Sequence, residues 1–430
     1  MPRSHAGIRR ANPLTGAATA ALLSVVFALV LTACGGGSPE AATSRAASEA
    51  PWTPSLVLTA QDGAATRKRI AAGEVPWASA WREFVRRWVE PVLAHQPQVE
   101  TRPFTGGIDV HEAFLHLDAD SRAARNLAIA YALSGDLRYA RRAHDFLVAW
   151  SRDAEPTRLR DYDSPDTGQL QSWGAFSFAY AYDLTRGHGL YSPDESAAVQ
   201  DYFTRFTVAL REAADRLATD ASIGTDLRLP YEWSTKLTYR CEDRVIGGTF
   251  AMALDLALVG LASQTGDAET IAWVLDADGN ALRADRAVRH ALRPHNDGDG
   301  RGTRPVPEVA ILRRYRPERG GTVDYMTYSA RLATLLCQVA DNRGRPLVTE
   351  MRPLLAKSWK YLARFFGPDA VPSPNPSDVI HADACLPRFA LAYRIVEGRH
   401  LLTVLESGDR SSYYEPQFLG PVTLTHSRLD

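Results

Sequence analysis

The chain has 430 residues, 45% of them apolar and 23% charged, with a formal net charge of −1. That is an ordinary globular composition, long enough for one large domain or two medium ones. The near-zero charge excludes a general attraction to nucleic acid or to an anionic membrane surface, so no nucleic-acid partner is expected.

Residues 1–34 read as a lipoprotein signal peptide rather than as part of the fold. Arg3, Arg9 and Arg10 give a basic start, and an apolar run follows from Ala17 to Ala33. It closes on Leu31-Thr32-Ala33-Cys34, the small-residue ending of a cleaved segment. These four residues resemble a bacterial lipobox. Cys34 would then be lipidated and become the new N-terminus, a lipid anchor to the membrane. Gly35 in place of an aspartate after it favours a periplasmic lipoprotein on the outer membrane. An uncleaved anchor is the alternative, because the run is near the short limit for a span. Residues 35–53 read as a flexible tether.

From residue 54 to 395 the chain reads as a succession of amphipathic helices. In "SAWREFVRRWVEPVLAH", Trp81, Phe84, Val85, Trp88, Val89 and Val92 recur at helical spacing. In "ARNLAIAYALSGDLRYARRAHDFLVAWSRD" two helices meet at Ser134-Gly135-Asp136, with Gly135 suited to end one and Asp136 to cap the next. "TFAMALDLALVGLASQTGDAETIAWVLD" breaks the same way at Gly266-Asp267. Further helices fit 169–185, 194–217, 323–341 and 346–366. The repeating unit is a helical hairpin, which predicts a mainly α fold, an incomplete α/α toroid of hairpins. Strand-like runs appear only near the end, where "HLLTVLES" and "PVTLTHSR" in the segment 396–430 read as two short strands. Two long irregular stretches, 151–168 and 293–322, are candidates for functional loops.

Cys241, Cys337 and Cys385 remain once Cys34 is assigned to the anchor. Their spacing matches no zinc pattern and each lies beside apolar residues, so buried thiols are expected, with room for one disulfide. "RPHNDGDGRG" offers His295, Asn296, Asp297 and Asp299 but lacks the spaced terminal glutamate of a calcium loop. His111 and His116 are five apart, which is not the spacing of a helical zinc pair. No metal or cofactor is called for.

The second irregular stretch carries Arg301, Arg304, Arg313, Arg314, Arg316 and Arg319 against Glu308 and Glu318. Such a positive excess on one loop of a neutral protein suits an anionic partner, although a solvated loop with local ion pairs would look the same. The helix that follows opens "GGTVDYMTYSARLATLLCQVA", with Thr322 or Asp324 as its cap. Tyr325 and Tyr328 fall three apart on one face of its first turn. Two phenols there need polar partners.

Four segments resemble the alginate lyase family of polysaccharide lyases. They are "PSLVLTAQDGAATRKRIAAGEVPWASAWREF", "NLAIAYALSGDLRYARRAHDFLVAWS", "QSWGAFSFAYAYDLT" and "PEVAILRRYRPERGGTVDYMTYSARLATLLCQVADNRG". Together they cover most of 54–345. The first three are scaffold. The last is where the family carries a catalytic arginine and tyrosine ahead of a Tyr-His-x-Tyr run, and Arg319, Tyr325 and Tyr328 match these positions. The resemblance implies an α/α toroid that cleaves an anionic polysaccharide, a polyuronate such as alginate, by β-elimination.

That chemistry accounts for the residue types. A cation or amide must neutralise the uronate carboxylate, a base must take the C5 proton, and an acid must protonate the leaving O4. A tyrosine serves as both if nearby cations lower its pKa from about 10, at about 1.4 kcal/mol per unit. Tyr325 is the expected base and acid, alone or shared with Tyr328. The family's Asn and His positions fall in "LPYEWSTKLTYRCEDRVIGG", where Tyr231 and Glu232 stand near the amides and Lys236 near the histidine. Met326 replaces the histidine between the tyrosines. Either Lys236, Arg240 and Arg319 form the cationic set, or the protein binds a glycan without cutting it, as a lipoprotein of an exopolysaccharide system. A third reading is a glycoside hydrolase on the same toroid, with Glu232 and Asp297 or Asp163 as its carboxylates. Trp173, Trp233 and Tyr162 are candidates to stack on sugar rings, and Gln171, Asn126 and Glu232 to hydrogen-bond them. Core packing and interhelix bonds are the alternatives for each.

Overall fold

The computed structural model describes residues 56–100, 108–156, 165–219, 239–241, 244–246, 248–292, 294–295, 304–305, 322–373 and 380–426. Contacts group Glu49–Asp430 as one unit, and that unit is built from helices. In chain order they are α1 (Ala60–Ala71), α2 (Trp77–Phe84), α3 (Ile108–Ser134), α4 (Leu137–Asp153), α5 (Pro165–Thr185) and α6 (Pro193–Thr219). There follow α7 (Gly248–Thr265), α8 (Ala268–Leu275), α9 (Ala284–Ala291), α10 (Thr322–Asn342), α11 (Leu347–Ala363), α12 (Ala382–Val396), α13 (Arg399–Glu406) and α14 (Val422–His426). Only two small antiparallel pairs, Tyr239–Cys241 with Arg244–Ile246 and Pro294–His295 with Arg304–Pro305, interrupt the helices among the described residues.

The hairpins arise from local chemistry. Gly135 and Gly266 take φ values of +74° and +75°, the left-handed conformation that glycine adopts without strain and that ends a helix. The next residue starts the following helix: Asp136 Oδ1 accepts from the Arg138 N–H at 2.9 Å, and Asp267 Oδ1 from the Thr270 N–H at 2.9 Å. Each such bond satisfies a donor that the first turn leaves without a partner.

The second half of the chain repeats the hairpins, so α3, α5, α7, α10 and α12 form an inner layer and α4, α6, α8, α11 and α13 an outer one. The inner helices run parallel. Phe114 meets Trp173 with ring centroids 6.1 Å apart, Arg125 Nη1 donates to Ser177 Oγ at 3.3 Å, and Tyr131 meets His188 at 4.9 Å. These contacts advance together along α3 and α5. The layer packs closely: a Cβ on Gly174 would lie 2.5 Å from Leu117 Cγ. The inner helices carry Leu127, Phe176, Phe178, Leu256, Leu332 and Phe389, all buried, and burying each such side chain contributes about 1.5–3 kcal/mol.

Parallel inner helices divide the connections. Short turns (135–136, 186–192, 266–267, 343–346, 397–398) lie at the C-terminal ends of the inner helices. Long connections (154–164, 220–247, 292–321, 364–381) lead into their N-terminal ends. The short-turn end is closed from inside. Leu56, Val57 and Leu58 are fully buried there. Leu56 N–H donates to Asp183 Oδ2 at 3.3 Å, Gln338 Nε2 to the Val57 carbonyl at 3.1 Å, and Asn342 Nδ2 to the Leu56 carbonyl at 2.8 Å. These partners are the ends of α5 and α10.

The C-terminal segment departs from its expectation. "HLLTVLES" is not a strand but α13, because Leu401, Val404 and Leu405 are buried at helical spacing. "PVTLTHSR" begins as α14, whose five residues are all buried, and a run buried on every side shows no period at all. An isolated pairing of Glu415 with Gly420 is the extended contact here. Helix α2 likewise ends sooner than the spacing predicts, passing at Val85–Val89 into a π turn. Cys337 and Cys385 are buried free thiols, as expected. The signal segment with Cys34 and the tether lie outside the described residues.

Candidate functional site

The inner helices present their first turns to the long connections, where their positive dipole ends favour a negatively charged ligand. Helix α10 contributes most. Its first three turns carry Asp324, Tyr325, Tyr328 and Arg331. Asp324 does not cap its own helix. Its Oδ1 accepts from the His381 N–H at 3.1 Å, and its Oδ2 faces His381 Nδ1 at 2.5 Å. Arg388 Nη1 donates to the Asp324 carbonyl and to Thr327 Oγ1, both at 2.7 Å. The start of α10 is therefore clamped to the start of α12.

Tyr328 lies within this clamp. The Trp173 Nε1–H donates to its hydroxyl at 3.1 Å, joining α5 to α10. The Arg331 guanidinium lies 4.4 Å from the centre of its ring and that of Arg388 5.9 Å. Burial pushes the Tyr328 hydroxyl up to about 12, and the Arg331 charge and the Trp173 N–H pull it the other way without overcoming burial. Burial thus holds the Tyr328 proton more firmly than that of an exposed phenol.

Beneath Tyr328 the last part of the chain enters the axis of the toroid. Residues 413–420 form a tight return, closed by Glu415–Gly420 backbone bonds of 2.8 Å in both directions. Buried Glu415 forms an ion pair with buried Arg331 and accepts from the Phe418 N–H at 2.9 Å. Burial alone would raise the Glu415 carboxyl, but Arg331, the Phe418 N–H, Arg388 and Arg125 together hold it below the ordinary value. Arg125 Nη2 donates to the Pro416 carbonyl at 2.9 Å and to Tyr414 Oη at 3.2 Å. Arg331 Nη2 donates to Gln417 Oε1 at 3.0 Å. Tyr414 stacks on Trp88, with ring centroids 4.0 Å apart and planes inclined by 6°.

Of the expected site residues, the structure brings together Tyr328 and Trp173, with buried Gln171 two positions before Trp173 on α5. Trp173 is half-buried, meets Phe114 and Tyr328 edge-on, and holds Tyr328 by its indole N–H. Asn126 belongs to the same interior network. It is buried, its Nδ2 donates to Tyr414 Oη at 2.7 Å, and its Oδ1 accepts from Arg125 at 3.4 Å. Both ends help to hold the C-terminal return. Met326 is fully buried in the core. Tyr325 lies on the first turn of α10 and Arg240 on the first strand, and their side chains lie outside the description, as do Arg319, Lys236, Trp233, Glu232 and Tyr162 entirely.

The sequence reading missed Arg125, Arg331, Arg388, Glu415 and Gln417. A signal was present: each of the three arginines stands inside an apolar run, "AARNLAIAYAL", "YSARLATLL" and "CLPRFALAY". A charge in such a run is either exposed or paired.

No family model and no curated protein matches the sequence. The fold does have solved counterparts. Alginate lyase A1-III from Sphingomonas species A1 is similar with a TM-score of 0.58 at 12% identity, over 88% of this chain and 97% of that one. An alginate lyase from Bacteroides ovatus is similar with a TM-score of 0.56 at 13% identity, over 87% and 99%. A variant of the A1-III enzyme complexed with a tetrasaccharide gives 0.56 at 11% identity, over 88% and 97%. The chain has the mainly α, helical-toroid fold of these lyases.

Proposed function

We propose that this chain, which carries the helical-toroid fold of alginate lyases, is a polysaccharide lyase that cleaves a uronate-containing polysaccharide such as alginate by β-elimination. The observation that carries the reading is the setting of Tyr328: a phenol beside the Arg331 and Arg388 guanidinium groups, fed by an indole N–H, where α5, α10 and α12 meet. Such a setting favours an anionic sugar and supplies a neutral acid near it.

In this reading Tyr325, one turn nearer the helix start than Tyr328, removes the C5 proton. Arg319, Lys236 and Arg240 neutralise the carboxylate and lower the Tyr325 pKa. The electron pair left at C5 forms the C4=C5 double bond as the C4–O bond breaks, and O4 takes a proton from Tyr325 or Tyr328. Purified protein incubated with a panel of polyuronates tests the reading. New absorbance in the ultraviolet from the C4=C5 bond, lost in Tyr325→Phe, is the expected result. An unchanged Tyr325→Phe variant would remove Tyr325 from the mechanism.

Burial of Met326, at the position where the family carries histidine, favours a second reading in which the protein binds a polyuronate without cleaving it. Binding without any ultraviolet signal would select it. New reducing ends without the double bond would select a glycoside hydrolase instead. We also propose that Cys34 is lipidated and anchors the protein in the periplasm, on the outer membrane. Loss of fatty-acid labelling in Cys34→Ser is the test.

A further inference from the structure

We propose that Gln417, at the tip of the C-terminal return, is a substrate-binding carboxamide that forms the floor of the cleft and donates to the uronate carboxylate. This deepens the lyase reading and rests on it. The argument begins with where the tip sits. Arg125, Arg331 and Phe418 are buried around it, whereas Pro416 is exposed and Gln417 half-buried. The tip is thus the place where the axial core meets open space. Its height is fixed by two helices. The Gln417 carbonyl accepts from Ser177 Oγ at 3.4 Å, and Ser177 lies one turn along α5 from Trp173. Gln417 Oε1 accepts from Arg331 Nη2 at 3.0 Å, and Arg331 lies one turn along α10 from Tyr328. The carboxamide therefore bonds the same guanidinium that lies 4.4 Å from the centre of the Tyr328 ring.

The chemistry of the amide follows from its partner. Arginine only donates, so the atom facing Arg331 is the oxygen. This leaves the Gln417 Nε2 with two N–H donors and no hydrogen-bond partner among the described residues. A half-buried amide nitrogen fixed in orientation by a charged group is preorganised for an anion or a hydroxyl. The return itself is held rigid by the Arg331–Glu415 ion pair and by Arg125 on the Pro416 carbonyl. Elimination from a uronate needs a donor on the carboxylate as charge moves onto it, and Tyr231 and Glu232 stand near the places where the family carries its amides. Gln417 brings an amide to the cleft from the opposite end of the sequence.

Steady-state kinetics of Gln417→Ala, Gln417→Asn and Gln417→Glu on polyuronates test this, with thermal unfolding to show that each variant is folded. Loss of one preorganised donor is expected to lower kcat about 100-fold with a smaller change in KM, with partial recovery in Gln417→Asn. A cleaving wild type and an equally active, folded Gln417→Ala would overturn the assignment and leave the lyase reading standing. If the wild type cleaves no polyuronate, the lyase reading fails and calorimetric titration with saturated oligouronates decides the site. At least tenfold weaker binding by Gln417→Glu, with no such loss for a neutral oligosaccharide, supports it. Equal binding, or no binding by the wild type, overturns it.

Discussion

Trp173 Nε1 donates to Tyr328 Oη at 3.1 Å, a single bond that ties the first half of α5 to the second turn of α10. Its direction matters. A donor on a phenol oxygen favours the ionised form, yet the buried Tyr328 remains protonated up to about 12. Trp173→Phe keeps the ring and removes the donor. Its expected effect is a tenfold or smaller loss of kcat on polyuronates and a further rise in the Tyr328 pKa. The ultraviolet titration of the phenol, compared with that of wild type, checks it. A Tyr328 that titrates near its ordinary value would contradict the burial on which its role as an acid depends.

The ion pair of Arg331 and Glu415 is wholly buried. Removing one partner leaves an uncompensated charge, at a cost of about 3–5 kcal/mol. Glu415→Gln should therefore lower the melting temperature strongly, whereas Arg331→Met with Glu415→Leu should recover much of the loss. The pH dependence has a definite sign. The Glu415 pKa is depressed in the fold, so its stabilisation is complete above the unfolded value near 4.5 and is lost as pH falls through the lower folded value. Melting temperatures from pH 6 down to pH 2 would show a steeper acid loss in wild type than in the double variant.

The hairpins were legible because their signals are local: a glycine that tolerates positive φ, then an aspartate that caps. The arginines at the axis were not, because their partners arrive from far along the chain. Nothing near Arg125 announces Tyr414 and Pro416, and nothing near Arg331 announces Glu415 and Gln417. The surroundings of Asn126 were hidden for the same reason. An amide on an inner helix suits a sugar until the C-terminal return is seen to occupy it. Helices α13 and α14 were misread because β-branched residues in a short apolar run fit a strand as well as a buried helix. Only tertiary burial separates the two.

Asn126 and Tyr414 give a test that distinguishes scaffold from substrate contact. Their bond is 2.7 Å long and lies against the stacked Trp88. Tyr414→Phe should cost about 1 kcal/mol of stability, the net worth of a buried hydrogen bond, and should leave KM for polyuronates within twofold. Denaturant unfolding and steady-state kinetics on the same preparation check both halves. A large rise in KM with unchanged stability would return Asn126 to the substrate.

Asp255 lies on α7 with both carboxyl oxygens buried and without hydrogen-bond partners. Burial, together with the nearby Asp285 charge, holds its pKa well above the ordinary value. An acid whose folded pKa is raised adds most to stability below the unfolded value of 3.8. That contribution is lost as pH rises through the folded pKa, where the buried group must either ionise or hold its proton against solution. Asp255→Asn keeps the shape and cannot ionise. At neutral pH it should be more stable than wild type, by about 1 kcal/mol or more, and the advantage should vanish at pH 4. Urea unfolding at the two pH values checks it, and an advantage that persists at pH 4 would mean that the effect comes from packing and not from charge.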